Sequence, residues 1–340
     1  MTDSSLPRLT ADVPGCGGGF KLAPEDFEVE ELPAYLPSGD GTHLYLWIEK
    51  RGRDTREVVR ALSQSLGVRE DDVGVAGMKD RHAVTRQWLS VPAVAEPRLG
   101  EFSLDGVRVL EARRHGNKLR TGHLRGNRFR LRVRDVKDVE AARETFARLS
   151  AQGVPNYFGE QRFGRAGDNA DQGKLLVLGQ RLPKRPDRFQ RKLFLSAFQS
   201  RLFNRALVLR LQAGTFATAL LGDVLRKEET GGLFVCEAPE VDGPRVASFE
   251  VSPAGPLFGP KMTAAQGEVA ELEARLLVEE GVTPSDFLRG GGETEGSRRP
   301  YRVRLGSPVL TPEGGDLWLT FELPRGSYAT EVLHELLKDG

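Results

Sequence analysis

Cysteine is nearly absent from this chain: two residues in 340, Cys16 and Cys236, stand far apart. That excludes a disulfide framework, and the spacing gives neither a metal pair nor a redox motif. Both are read as free thiols of a reducing compartment. Long apolar runs are missing as well. No stretch approaches the about 20 residues that span a bilayer, and the N-terminus lacks the basic-then-apolar pattern of a secretory signal. A soluble protein of the cytoplasm, with no membrane partner, is the expectation. The five histidines, His43, His82, His115, His123 and His334, never fall into His-Glu-x-x-His or a comparable ligand spacing, so no metal is expected. Gly17-Gly18-Gly19 is not followed by Lys-Ser/Thr and does not follow a strand pattern, which removes a phosphate loop. Ser196 and Ser200 lie in a helical pattern without a nucleophile elbow, against a serine hydrolase.

Net charge is also scarce: 49 Lys and Arg against 48 Asp and Glu leave +1. The charges are unevenly placed. Arg113, Arg114, Lys118, Arg120, Arg125, Arg128, Arg130, Arg132 and Arg134 run with no acidic residue among them, while residues 228–242 and 268–280 are rich in carboxylates. A basic region balanced by acidic surfaces elsewhere suits a polyanionic partner steered to one face. Within it, Phe129, Leu131 and Val133 alternate with four arginines, the pattern of a strand with one face buried and the other cationic.

The remaining periodicities predict a mixed chain. Residues 42–49 read as a strand and 54–66 as a helix, with Val58, Val59, Leu62 and Leu66 on its apolar face, Asp54 or Thr55 as cap and Gly67 as stop. Residues 139–149 read as a second helix. The middle is dominated by helix, over 168–178, 187–211 and 264–278, with short strands at 231–238 and 247–251 and a Pro/Gly-rich loop after them. A charged, Gly-rich linker at 289–300 precedes strands at 301–305 and 316–323, and a helix at about 330–337 closes the chain. The C-terminal strands have too few partners nearby to be stable, so they are expected to complete the sheet begun before residue 150. The expectation is an α+β fold in three segments: 1–152 and 301–340 forming one domain, interrupted by a helix-rich inserted domain at 153–300.

The segment from Gly77 to Gln87 is the most informative. Val73, Val75 and Ala76 form an apolar alternation that stops at Gly77, and Trp88, Leu89 and Val91 resume it, so Asp80 sits on a turn between two strands. Flanked by Lys79 and Arg81, its carboxylate is expected to stay ionised and could serve as nucleophile or base. An arbitrary Lys-Asp-Arg tripeptide, however, is most often a solvated turn.

The wider pattern resolves that choice. Gly77-x-Lys79-Asp80-x-x-Ala83-x-Thr85-x-Gln87 resembles the signature of the TruD family of tRNA pseudouridine synthases. Four further blocks are similar to that family in the same order: Lys21 with Pro24-Glu25-Asp26-Phe27-x-Val29-x-Glu31; Gly126-Asn127; Val154-Pro155-Asn156-Tyr157-Phe158-Gly159-x-Gln161-Arg162-Phe163-Gly164; and Leu323-Pro324-x-Gly326-Ser327-Tyr328-Ala329-Thr330. The resemblance implies a pseudouridine-synthase-like, mixed and largely antiparallel sheet flanked by helices, with a family-specific inserted domain. It also implies a cofactor-independent isomerase that converts uridine to pseudouridine at tRNA position 13, with tRNA as partner; no obligate protein partner is evident from the sequence.

On this resemblance Asp80 is the expected nucleophile. Phe27 and Tyr328 are the expected platforms for an extruded uracil, although pattern alone makes each a core aromatic. Asn127 can read a uracil edge or hold a ribose or Asp80; Lys79 could pair with Asp80 or a phosphate, and Lys21 could bind backbone. Arg128, Arg130, Arg132 and Arg162 are candidate contacts to RNA phosphates, against the commoner reading of a solvated face. An RNA-binding protein that keeps the fold but has lost catalysis is the alternative, and an Asp-based hydrolase of small molecules is disfavoured by the basic run.

Overall fold

A computed structural model describes Leu6 to Lys338. In chain order, the elements begin with strands β1 (Gly19–Phe20), β2 (Phe27–Pro33) and β3 (His43–Arg51), helix α1 (Thr55–Leu66), then β4 (Gly74–Val75), β5 (Val84–Pro92), β6 (Val107–His115) and β7 (Leu124–Arg134). Next come α2 (Val139–Gln152), β8 (Val154–Pro155), α3 (Asn169–Val177), α4 (Arg188–Gln212), β9 (Val224–Lys227) and β10 (Leu233–Val235). The chain ends with α5 (Pro239–Ala247), β11 (Val251–Leu257), α6 (Gly267–Glu279), β12 (Ser297–Pro300), β13 (Arg302–Val303), β14 (Gly306–Glu313), β15 (Asp316–Pro324) and α7 (Ala329–Leu337). No helix among the described residues is long and apolar enough to cross a membrane.

Packing divides the chain into two units. One, the sheet unit, comprises Gly15–Arg143 and Leu305–Ala329; the other, the helical unit, takes Glu144–Arg304 with both chain ends, up to Pro14 and from Thr330. The divisions fall near 14, 143, 304 and 329, and the last helix groups with the middle of the chain.

The sheet unit is built on nine strands in the order β14-β15-β7-β2-β5-β3-β6, with β1 added to β7 and β4 to β5. Among the described residues only the β2–β5 pairing is parallel; the sheet is mixed and largely antiparallel, as expected for an α+β fold. β15 lies along β7 from Leu317 opposite Val133 to Pro324 opposite Gly126, so the C-terminal strands do complete the sheet begun by the first. Strand alternation gives each face its character. Leu44, Leu46 and Ile48 of β3 and Leu89 and Val91 of β5 form one apolar surface, and α1 closes it with Val58, Leu62 and Leu66. α1 starts where the Asp54 carboxylate accepts from the Arg56 N–H and stops at Gly67, whose φ of 66° is the left-handed region glycine favours.

The helical unit has a four-stranded sheet, β10-β9-β11-β12, and a two-stranded pair, β13-β8. Its 25-residue α4 begins with a capping box between Asp187 and Gln190. Phe203, Ala206 and Leu207 of α4 share a core with Tyr157, Phe158 and Tyr301. Several sequence expectations fail here. The loop expected after Val251 is β11, whose Pro253 and Pro256 sit in a strand paired on both sides. The linker expected at 289–300 ends in β12, and α5 occupies residues expected to be coil or strand, starting with Pro239 at its first turn. β6, β9 and β14 are strands whose sequences carry no clean alternation.

Candidate active site

The site is assembled on the sheet face that α1 covers, at the end where α1 begins. β3 continues its apolar row, Leu44, Leu46, Ile48, with Lys50. Lys50 is 1% exposed and its Nζ donates to the carbonyls of Arg53 (2.7 Å), Lys79 (3.3 Å) and Asp80 (2.7 Å). Burial pulls this ammonium down to about 8, against partial support from Asp54 and Asp80. From α1, Thr55 Oγ1 accepts the Lys79 N–H at 3.1 Å and donates to Gln87 Oε1 at 3.0 Å; the Gln87 amide donates to the Gly77 carbonyl at 3.1 Å. Apart from the Arg53 carbonyl, every main-chain group named here belongs to the turn that carries Asp80. A loop that would otherwise sample many conformations is tied at Gly77, Lys79 and Asp80 by buried side chains from β3, α1 and β5.

Asp80 itself is partly open, with 37% of its side chain exposed. Its Oδ1 accepts the His82 N–H at 2.9 Å and its Oδ2 accepts from Lys21 Nζ at 2.7 Å. Burial pushes its carboxyl up, but the Lys21 hydrogen bond, the His82 N–H and the Lys21 charge outweigh it and hold the group below the ordinary aspartate value. Asp80 is ionised at neutral pH, with two of about four lone pairs uncommitted. Lys21 follows β1 in the left-handed region at φ 56°, unusual for a non-glycine, and its Nζ also lies 4.2 Å from the centre of the Phe27 ring.

The structure places the expected residues differently from one another. The cation on Asp80 is Lys21, not Lys79. Lys79 points inward: it is paired with Glu31 Oε2 at 2.7 Å, side chains 5% and 0% exposed, and Glu31 also accepts from the Trp88 N–H. Burial raises the Glu31 carboxyl, and the Lys79 charge opposes that rise. An ammonium so occupied is part of the support under Asp80 rather than an open phosphate contact. Phe27 is buried, meets Phe129 edge to face at 6.2 Å and carries Lys21 above it, so it floors the Lys21–Asp80 pair rather than offering a bare platform. Asn127 lies on β7 between Glu31 of β2 and Leu323 of β15. Its Oδ1 is buried and, among the described residues, has no hydrogen-bond partner; the same holds for Thr85 Oγ1 on β5. Tyr328 is an open ring, 43% exposed, in the turn that follows β15.

The arginine strand is paired by its neighbours. Arg128 pairs with Glu322 at 2.8 Å and Glu30 at 3.4 Å, Arg130 with Glu28 at 2.8 Å, Arg132 with Asp316, and Arg134 with Asp26 at 2.8 Å. Arg130 also lies 3.7 Å over the Trp318 ring. The run has no acids in sequence but is lined by them in space, from Asp26 just before β2 and from β2 and β15, and forms a cross-strand ladder of ion pairs. Arg162 belongs to the helical unit, where it reaches Ser196 Oγ at 3.4 Å and lies over Phe158; Asn156 in the same block is bonded to Pro300 and Arg299. Those contacts tie the block to its own unit. Lys50 was missed in the sequence, though one signal was available: a lysine continuing an apolar row of a buried strand face.

A family model described as tRNA pseudouridine synthase D (TruD) matches residues 5–181 and 182–336. Proteins named tRNA pseudouridine synthase D from Anaeromyxobacter dehalogenans and Thermus thermophilus are 56% and 45% identical. The first match covers 99% of this chain and 97% of the relative, the second 98% and 92%. A crystal structure from Methanosarcina mazei assigned to tRNA pseudouridine synthase D superposes with a TM-score of 0.81 over 98% of this chain and 97% of that one. Its identity is 24%, so that likeness speaks for the fold.

Proposed function

Because the chain belongs to the tRNA pseudouridine synthase D family, we propose that it isomerises uridine to pseudouridine in tRNA at position 13, with Asp80 as the nucleophile. The observation that carries this reading is the ionised, half-open Asp80 held on a turn whose backbone is tied by Lys50, Thr55 and Gln87. In the reaction the bond from ribose C1′ to uracil N1 breaks, the base turns, C5 bonds to C1′, the proton on C5 leaves, and N1 takes up a proton in its place. No atom is gained or lost. A carboxylate supports this by attack or proton removal at the reacting nucleotide, and Lys21 balances its charge and steadies its position.

A uridine in folded tRNA must leave its stack first. Tyr328 is the open ring that can stack on it, while the unsatisfied Asn127 Oδ1 can accept from the N3–H of the base or a ribose hydroxyl. The helical unit is the family-specific insertion in this reading, and the enzyme works in the cytoplasm on tRNA without a resident cofactor. Mapping pseudouridines in tRNA from cells with and without this protein tests the reading: position 13 should lose its modification. A protein that binds tRNA while every site persists would be the RNA-binding alternative.

A further inference from the structure

Sorting the long basic run by its ion pairs leaves a remainder. Arg113 and Arg114 are paired with Glu111 and Glu96, the four arginines from Arg128 to Arg134 are paired across strands, and Lys118 donates to the carbonyl of Asp71. Arg120 and Arg125, like Lys118, have no carboxylate partner among the described residues, but they stand in the segment bonded to Arg325. Both are exposed, and no ion pair to a described carboxylate involves either. A third such residue, Arg325, comes from outside the run.

These three belong to one small structure. Arg120 opens a turn closed by the His123 N–H on its carbonyl at 3.0 Å. Arg325 Nη1 donates to the carbonyl of Gly122 in that turn at 2.9 Å, and the Arg325 N–H donates to the Arg125 carbonyl at 3.1 Å. Arg125 Nε donates to the Pro33 carbonyl at 3.2 Å. The bonds of Arg125 Nε and Arg325 Nη1 each use one edge of a guanidinium and leave other N–H donors free, while Arg120 joins the turn through its backbone carbonyl and leaves its whole guanidinium exposed. The turn is fastened to the site: the Gly122 N–H donates to the carbonyl of Ala76 at 2.8 Å, four residues before Asp80. Arg125 is two residues from Asn127 along β7, and Arg325 is three residues from Tyr328.

We infer that Arg120, Arg125 and Arg325 form a clamp for the phosphodiester backbone of the RNA strand on either side of the extruded uridine. The carbonyl-anchored guanidiniums of Arg125 and Arg325 are pre-oriented at little entropic cost, and with no carboxylate to compete they and the exposed Arg120 are able to take a phosphate. The ladder arginines are already occupied. Phosphate contacts position a strand rather than read it, so the clamp sets affinity and register while Asp80 does the chemistry.

The inference rests on the tRNA reading above, and its test separates the two. The full-length triple variant R120Q/R125Q/R325Q and wild type are titrated with transcript tRNA over a range of salt, with turnover measured in parallel. Three lost phosphate contacts should flatten the slope of log affinity against log salt by about 2, which is on the order of 10²-fold weaker binding at 0.1 M salt. KM should rise with kcat at saturating tRNA little changed. The charge-keeping variant R120K/R125K/R325K should recover most of the slope, and R130Q should leave it as in wild type; if the Lys variant behaves like the Gln variant, lost folding is the cause and the clamp is wrong. A wild-type enzyme that converts tRNA together with a Gln variant of unchanged slope overturns the clamp alone. Wild type that neither binds nor converts tRNA overturns the reading and the clamp with it.

Discussion

The two faces of the nine-stranded sheet use charge in opposite ways. On the face away from α1, strands alternate in sign across the sheet. Asp316 and Glu322 of β15 face the arginines of β7, which face Glu28 and Glu30 of β2; Arg86 of β5 follows, then Glu49 of β3 and Arg108 of β6. These pairs are half-exposed, and each is worth little alone. On the face toward α1 the charges are few and buried: Glu31 with Lys79, and Lys50 on three carbonyls. There, losing one partner strands a charge in a medium that cannot solvate it. The exposed lattice is redundant and chemically silent, whereas the buried set is sparse, and each member fixes part of the turn that presents Asp80. A count of basic residues along the chain points to the laddered face, away from the supports of Asp80.

Breaking this contrast at its strongest point means removing Glu31. With Asp80 in place, Glu31→Gln leaves Lys79 buried without its anion and should cost about 3–5 kcal/mol in denaturant unfolding; replacing both by apolar residues of similar volume should recover most of it. A single variant no less stable than wild type would show the pair to be dispensable. Next comes Lys50→Met, which leaves the carbonyls of Arg53, Lys79 and Asp80 without this donor. A loss of about 3 kcal/mol is expected, with slower turnover.

The same residue gives a pH signature of known sign. Lys50 has a folded value of about 8, below the ordinary 10.5, so between those values the unfolded chain binds more protons and this group's contribution to stability rises with pH. Turnover should move the other way, falling above about pH 8 as the ammonium that ties the Asp80 turn is lost. Lys50→Met should lack that alkaline limb, and an identical pH profile in both enzymes would remove Lys50 from the support. Asp80 gives no acid limb near neutrality, because its carboxyl lies below the ordinary value.

Smaller effects probe the rims. Tyr328→Ala should lower kcat/KM by about tenfold, the scale of one lost base stack, while Tyr328→Phe stays close to wild type; three equal activities would exclude the ring as a platform. Smallest is Arg130→Gln on the ladder. It should change stability by less than about 1 kcal/mol and leave the salt dependence of tRNA binding untouched. A flattened slope there would return the ladder to the RNA.

Much of this was legible in the chain. The strict alternation around Phe129 announced β7 and its two faces, Asp54 and Gly67 bounded α1, and the motif around Asp80 located the turn. What escaped depends on partners far away in sequence. The acids that neutralise the arginines of β7 come from residues 26–30 and 316–322, a pairing set by sheet order and invisible to any local window. Lys79 was expected beside Asp80 and Lys21 on the RNA backbone, because spacing does not say which side chain a turn points inward; Lys79 points to Glu31 and Lys21 reaches Asp80. β11 was missed because two prolines argue against a paired strand, yet tertiary context placed them there.

The claim on which the rest depends is that Asp80 is the reacting carboxylate. Asp80→Asn keeps the size of the side chain and can still accept from the His82 N–H, but it cannot remain an anion. Single-turnover conversion of transcript tRNA should fall by at least about 10³-fold while tRNA affinity stays near that of wild type. Pseudouridine formed at a rate within a few-fold of wild type would contradict the account.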